Sequence, residues 1–333
     1  MNGTEPEIEL AGVGNPIVDL VAQVPDSFLS NVPGEKGGMV LVDDAEMARI
    51  LAHLGDPPAL TTGGSAANAT FNAARLGLRT AFIGKVGNDD LARTYVERFR
   101  RAGVDVSRFK RGSVANARCL ALVTPDAQRT MRTSLGAAKT LSPAEISPAD
   151  FRSVRHAHIE GYLVFNHALC EAVLNAARSA GCTISLDLSS FEVVNDSRDW
   201  MFGQFGRGID IVFANEDEIR ALFPGRGSNY ETLARALASH KVIAAVKMGR
   251  EGAWIAAGDE VHRIAPRRVA DAIDTNGAGD AWAAGFLFGH LRGRTLAEAG
   301  ALASLMGAET VRHLGPVIPE AKWPKAKQRI LGS

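Results

Sequence analysis

An α/β protein built on a mainly parallel sheet, with a small separate β flap, is the fold class this sequence predicts. Three observations predict it. Short apolar runs alternate with helical patterns along most of the chain, as βαβ units require. Two regions interrupt that rhythm with β-type residues and no long helix between them. The 333 residues, 46% hydrophobic and 22% charged, are enough for one large core with an appendage.

The elements follow in chain order. "IELAGVG" (8–14) reads as the first strand. The first interruption comes next, "IVDLVAQV" (17–24) and "KGGMVLV" (36–42). A helix is expected at 66–76, a strand at "TAFIGKVG" (80–87) and a helix at 89–102. The second interruption pairs "ARCLALVT" (117–124) with "QRTMRTSL" (128–135) through the turn Pro125-Asp126-Ala127, a hairpin signal. Polar and apolar residues partly alternate in "RTMRTSL", which suits a sheet wet on one face. "HAHIEGYLV" (156–164), "TISLDLS" (183–189), "IDIVFAN" (209–215), "VIAAVKMG" (242–249) and "GAWIAAG" (252–258) read as further strands. Helices are expected at 167–180, 216–223, 230–239, 279–291 and 296–312. The core would span 1–15, 43–115 and 136–333, and the flap 16–42 and 116–135. A flap over such a core serves as a lid that excludes water, or as an edge extension that stabilises the fold or an oligomer.

Composition narrows the partners. Lys+Arg and Asp+Glu balance at 37 each, so net charge points to neither nucleic acid nor an acidic membrane surface. Cys119, Cys170 and Cys182 are widely spaced, form no CxxC pair and suggest buried thiols in a reducing compartment. "MNGTEPEIEL" is acidic without an apolar run, and no stretch approaches the ~20 apolar residues of a membrane span. A cytoplasmic protein is expected.

Five segments carry chemistry. In "DAIDTNGAGDAWAAGFLFG" (271–289), Gly277, Ala278 and Gly279 let backbone N–H groups converge on one point, and a helix N-terminus follows. Both favour an anion. Asp280 behind that loop is either a general base, taking a proton from a hydroxyl that attacks phosphorus, or a helix cap. In "TTGGSAANATFNAARLG" (61–77), Gly63 and Gly64 allow close backbone approach, and Asn68 can donate and accept toward hydroxyls; a tight packing turn explains the same letters. "GVGNPIVDL" (12–20) lacks the third glycine of a dinucleotide fingerprint, while Asp19 offers two acceptor oxygens to vicinal hydroxyls or is a solvated turn residue. In "ANEDEIRALF" (214–223), Asn215 and Glu218 share a helix face and either help hold a phosphate-bound Mg²⁺ or cap the helix. In "VKMGREGAW" (246–254), Gly249 and Gly252 flank a turn that lies along a nucleotide or closes a simple hairpin. No GxxxxGK[ST] occurs, so ATP use would not go through a P-loop.

Taken in order, "GVGNPIVDL", "GGSAANAT", "IGKVGNDD", "NEDE" and "DTNGAGD" resemble the ribokinase-like, or PfkB, family of sugar and nucleoside kinases over roughly residues 8 to 315. "GNPIVDL", "KGGM" and "SLGAAKTLSP" look most like its adenosine-kinase-like branch. The resemblance implies a three-layer α/β/α core with a β-sheet lid, ATP and Mg²⁺. It implies Asp280 as the catalytic base and 277–279 as the anion hole. Asp19, Gly37, Gly38, Gly63, Gly64 and Asn68 match positions that grip substrate hydroxyls. Asn215 and Glu218 match the element that orders Mg²⁺ and phosphate, with Glu218 acting through water; Lys247, Gly249 and Gly252 fall on the ATP side. Asp274 and Asn276 match a K⁺ site in which Thr is more usual than Asn276.

The expected reaction moves the γ-phosphoryl group of ATP to a primary hydroxyl of an adenosine-like nucleoside or a ribose-type sugar. Kinases for fructose or a sugar phosphate, and a non-catalytic sugar or nucleoside sensor, are the alternatives. Phe165, Tyr162 and Phe191 could line a purine slot but are expected in the core. Arg132, on a lid strand, is expected to face solvent or to meet a substrate phosphate. An exposed lid sheet admits either a monomer or a homodimer through the lid.

Overall fold

A computed structural model describes residues 8–126 and 128–332. Residues 1–7, Ser333 and Ala127 of the expected hairpin turn lie outside the described residues. The strands are β1 (Ile8–Val13), β2 (Ile17–Gln23), β3 (Met39–Leu41), β4 (Ala59–Gly63), β5 (Thr80–Ile83), β6 (Lys85–Val86), β7 (Val104–Asp105), β8 (Lys110–Arg111), β9 (Arg118–Val123), β10 (Arg129–Ser134), β11 (Val154–Glu160), β12 (Thr183–Asp187), β13 (Ile211–Ala214), β14 (Ile243–Lys247), β15 (Ala253–Ala257) and β16 (Glu260–Ile264). The helices are α1 (Asp44–Ala52), α2 (Ser65–Leu76), α3 (Asp90–Arg101), α4 (His167–Ser179), α5 (Phe191–Gln204), α6 (Glu216–Leu222), α7 (Tyr230–Ala238), α8 (Ala278–Leu291), α9 (Leu296–Thr310) and α10 (Trp323–Leu331).

Nine strands form the large sheet, in the order β16-β15-β14-β13-β12-β11-β1-β5-β7. From β14 to β7 all pairs are parallel; β15 and β16 add an antiparallel edge. Burial on both faces explains the near-continuous apolar runs of the central strands, and every residue of β1 and β13 is buried. Val173, Val193, Ile219 and Leu233 of α4 to α7 close one face, while Trp282, Phe286 and Ala303 of α8 and α9 close the other with Phe213. The chain leaves β1 for β5 on one side and later enters β11 on the other. Such a reversal opens a crevice at the C-terminal ends of the strands, where ligands bind in open α/β sheets.

The five-stranded small sheet runs β3-β10-β9-β2-β4. Burial alternates along β2, as the sequence pattern requires. Val18, Leu20, Leu120 and Leu122 pack into one cluster with Met47 and Ile50 of α1. The opposite face carries Asp19, and cross-strand pairing places Cys119, Thr133 and Leu41 in its row.

Several expectations need correction. β4 pairs with β2 in the small sheet, whereas the sequence places 59–63 in the core; the glycines at its end mask the strand signal. The run 80–87 breaks at Gly84, where a Cβ would lie 2.5 Å from the Gly14 carbonyl oxygen. The run 156–164 ends as a strand at Glu160 and continues as a 3₁₀ turn. Helices α1, α5 and α10 were not anticipated; α5 is interrupted at Ser197, which blurs its apolar period. Arg132 is fully buried rather than solvent-facing, and its guanidinium donates to the carbonyls of Gly38 (3.0 Å) and Met131 (2.7 Å). It braces the segment leading into β3. The three cysteines are free thiols, Cys170 and Cys182 buried and Cys119 half-buried. Among the described residues no helix is long and apolar enough to cross a membrane.

Candidate active site

The segment before α8 is built around one glycine. Gly277 sits in the left-handed region (φ +70°), and a Cβ there would fall 2.3 Å from the Pro316 side chain. The turn therefore needs glycine both for its backbone angle and for its neighbour. It delivers Ala278, Gly279 and Asp280 as the first turn of α8.

Asp280 does not cap its own helix. Its carboxylate accepts from the Ser65 hydroxyl (3.0 Å) and from Asn68 Nδ2 (2.9 Å), both in the first turn of α2. Two helix N-termini thus converge on one carboxylate. Burial pushes its pKa up to about 6, against the hydrogen bond from Asn68; nearby Asp187 raises it further and Lys247 lowers it. Asn68 is buried, and among the described residues its Oδ1 has no hydrogen-bond partner, which leaves an acceptor inside the crevice.

Asp19 enters from the small sheet. Burial first, then the Asp280 charge, pushes its carboxyl up to about 7, while Arg129 and a hydrogen bond from the Asn276 side chain act against this. Gly63 is the reason it fits: a Cβ there would lie 2.2 Å from Asp19 Oδ1. Gly64 (φ +91°) passes equally close to the Asn15 carbonyl. Gly37 and Gly38 lead into β3, and their backbones bond to Thr130 (2.9 Å) and Arg132 (3.0 Å) on β10.

On the other side of α8, Lys247 closes β14 and donates to Asp187, the last residue of β12, at 3.0 Å. Burial alone would lower its pKa, but Asp187 and Glu218 outweigh that and raise it. A Cβ on Gly279 would lie 3.4 Å from Lys247 Nζ, so the ammonium group borders the glycine loop. Asn215 and Glu218 form a reciprocal capping box: Asn215 Nδ2 donates to Glu218 Oε1 (2.7 Å), and each backbone N–H bonds the other's side chain. Burial raises Glu218 to about 7, Asp187 adds to this, and Lys247 opposes it. Gly249 and Gly252 bound the β14–β15 turn; Gly252 (φ +92°) approaches the Ile264 carbonyl where a Cβ would be 2.1 Å away.

Asp274 is held by donors of the protein itself. Its Oδ1 accepts from the Asn276 N–H (2.9 Å), its Oδ2 from the Gly315 N–H (2.8 Å), and Arg129 of β10 pairs with it at 2.6 Å. Burial would raise this carboxyl, but these donors hold it below the ordinary range.

Sequence reasoning missed Glu160, Asp187 and Arg129. Glu160, buried at the end of β11, accepts from Asn15 Nδ2 (2.7 Å) and the Ala66 N–H (3.3 Å), and burial lifts it to about 7. The available signal was an acid closing an apolar strand, in "HAHIE" and "TISLD". Tyr162, Phe165 and Phe191, expected in the core, are 39%, 55% and 46% exposed at the C-terminal ends of β11 and β12. Burial pushes the Tyr162 hydroxyl up, and the charges of Glu160, Glu218 and Asp280 add to this.

Comparison with known proteins shows the family. The chain is similar over 97% of its length to an adenosine kinase from Sinorhizobium meliloti, with 32% identity, 99% of that chain covered and a TM-score of 0.85. A probable sugar kinase from Rhizobium etli gives 32% identity, 97% and 98% coverage and the same TM-score of 0.85. An ATP-dependent ribose-1-phosphate kinase from Halopiger xanaduensis is 32% identical over 260 residues, covering 76% of this chain and 81% of that protein. The family model described as pfkB family carbohydrate kinase matches residues 41–323, and the chain belongs to that family.

Proposed function

We propose that this kinase transfers the γ-phosphoryl group of ATP to a primary hydroxyl of a nucleoside, with an adenosine-like compound as the favoured acceptor. The observation that carries the transfer step is the placement of Asp280 between the α2 N-terminus and the glycine loop. In this reading Asp280 takes the acceptor's proton, its pKa of about 6 leaving it ionised at neutral pH. The N–H groups at 277–279 and the start of α8 hold the charge of the transferring group, with Lys247 beside them. Asp19 and Asn68 Oδ1 accept from ribose hydroxyls.

The nucleoside preference rests on the apolar setting around Asp19. Pairing in the small sheet puts Leu41 in its row and Val21, Ala121, Met131 and Met39 in the next. Met39 and Leu41 are 53% and 59% exposed, and Tyr162 stands at the opposite rim. A bare sugar has no surface to cover these groups; a heterocyclic base does. The small sheet then acts as a lid that keeps water from the reacting phosphate.

The residues also fit Mg²⁺. Asp187, Glu218 and Asp280 outnumber their one cation, Lys247, so the site favours a divalent ion. Among the described residues no cluster cages an ion alone, which suits an ion held largely by phosphate and water, with Glu218 as an outer partner. When bound, Mg²⁺ neutralises phosphate charge. K⁺ on Asp274 does not fit, because the Arg129 guanidinium already supplies positive charge there.

The test is ADP release over adenosine, other nucleosides, ribose, fructose and their monophosphates. Adenosine or a close analogue should give the highest kcat/KM. A free sugar or sugar phosphate that outcompetes every nucleoside rejects the proposed acceptor, and binding without ADP release favours a sensor.

A further inference from the structure

A cleft of about 690 Å³ adjoins the Asp19 side of the site and runs outward past Val21, Asn276 and the Asp274–Arg129 pair. One wall belongs to the small sheet, at Val21 and Thr61; the other to α2, α3 and the segment leading into α10. Its charge is lopsided. Arg75, Arg98, Arg101 and Arg129 line it against Asp274 and Glu320. Arg129 is committed to Asp274, and Arg101 to Glu97 at 3.0 Å. Arg75 and Arg98 make no ion pair among the described residues: they donate to the backbone carbonyls of Ile318 and Leu60. Arg75 Nη2 is buried and makes no hydrogen bond among the described residues. Burial makes that guanidinium a weaker base, its pKa lowered to about 10. Leaving a buried charged donor unsatisfied is costly, so a site of this kind gains from an incoming acceptor. Thr61 and Asn276 add polar groups near Asp274, and the rest of the lining is apolar or aromatic. Phe71 and Trp323 flank Arg75, whose guanidinium carbon lies 4.2 Å from the Trp323 ring centre.

We propose that this cleft binds an organic phosphomonoester, with its phosphate on Arg75 and Arg98 and its apolar part against Phe71 and Trp323. Arginine forks suit phosphate oxygens, and a concave, partly aromatic wall suits the attached organic group. Because one wall is the small sheet and the inner end is Asp274, occupancy bears on how that sheet sits over the catalytic loop. The phosphorylated product of a kinase belongs to this ligand class, which makes the cleft a place for feedback.

The test needs no turnover, so it stands apart from the kinase reading. The protein is labelled with 5-fluorotryptophan, and the Trp323 resonance is assigned by Trp323→Phe. AMP, ribose 5-phosphate and inorganic phosphate are titrated separately. AMP or ribose 5-phosphate should shift Trp323 saturably. Arg98→Gln should weaken that response by about tenfold, the scale of one lost charged hydrogen bond, while Asp280→Asn leaves it unchanged. Arg98→Lys, which keeps the charge, should fall between. The proposal is overturned if Trp323 ignores all three compounds, if inorganic phosphate matches the organic phosphates, or if Arg98→Gln binds as tightly as the parent.

Discussion

Asp19, Glu160 and Asp280 share one surplus of negative charge, with folded pKa values of about 7, 7 and 6. In the unfolded chain such carboxyls titrate near 4. The folded state therefore binds more protons between about pH 4 and 7. Their favourable contribution is complete below the unfolded pKa and is lost as pH rises through the folded one. Asp280→Asn, which can still bond Asn68 through its oxygen and Ser65 through its amide, should raise stability at pH 8 by on the order of 2 kcal/mol and much less at pH 4.5. Denaturant unfolding at the two pH values checks this; a loss of stability at pH 8 would contradict it. In the parent enzyme, kcat/KM should fall about tenfold per pH unit below about pH 6, as the base becomes protonated. A rate flat down to pH 5 would speak against Asp280 titrating in that range. Asp280 and Asn68 were legible in the sequence because each sits in a compact local signal, a glycine turn entering a helix. Glu160 and Asp187 were not, since their role comes from strands that meet only in the folded sheet.

At the scale of elements, the informative pair is β10 and the loop before α8. Arg129 crosses from one to the other, joining the small sheet to Asp274. Neither residue suggests the other in sequence, as 145 positions separate them. The pairing carries a prediction about salt. Initial rates of the parent should differ by less than about twofold between KCl and choline chloride, because the guanidinium occupies the cation's place. Arg129→Gln should become activated by K⁺ by several fold, since it leaves a carboxylate uncompensated. Strong K⁺ dependence in the parent would refute this assignment. The hairpin 117–135 was readable from its alternation and turn; β4 was not, because Gly63 and Gly64, which allow the close approach of Asp19 and Asn15, weaken the strand signal of Thr61 and Thr62.

At the scale of the molecule, the alternating apolar rhythm was enough to foresee the parallel sheet, because strands buried on both faces must be apolar throughout. β16 and the order of the strands were not legible, since order depends on crossovers that leave no local mark. The reversal beside β1 then gathers Gly14, Glu160, Asp187, Asn215 and Lys247 at one end of the sheet, facing a second sheet that brings Asp19. On the proposed function, this assembly lets one carboxylate take a proton beside a bound phosphate. The most direct test is the turnover of Asp280→Asn with adenosine and MgATP, alongside its affinity for ATP by calorimetry. ATP affinity should persist while kcat drops by on the order of 10² or more; turnover within a few fold of the parent would contradict the claim.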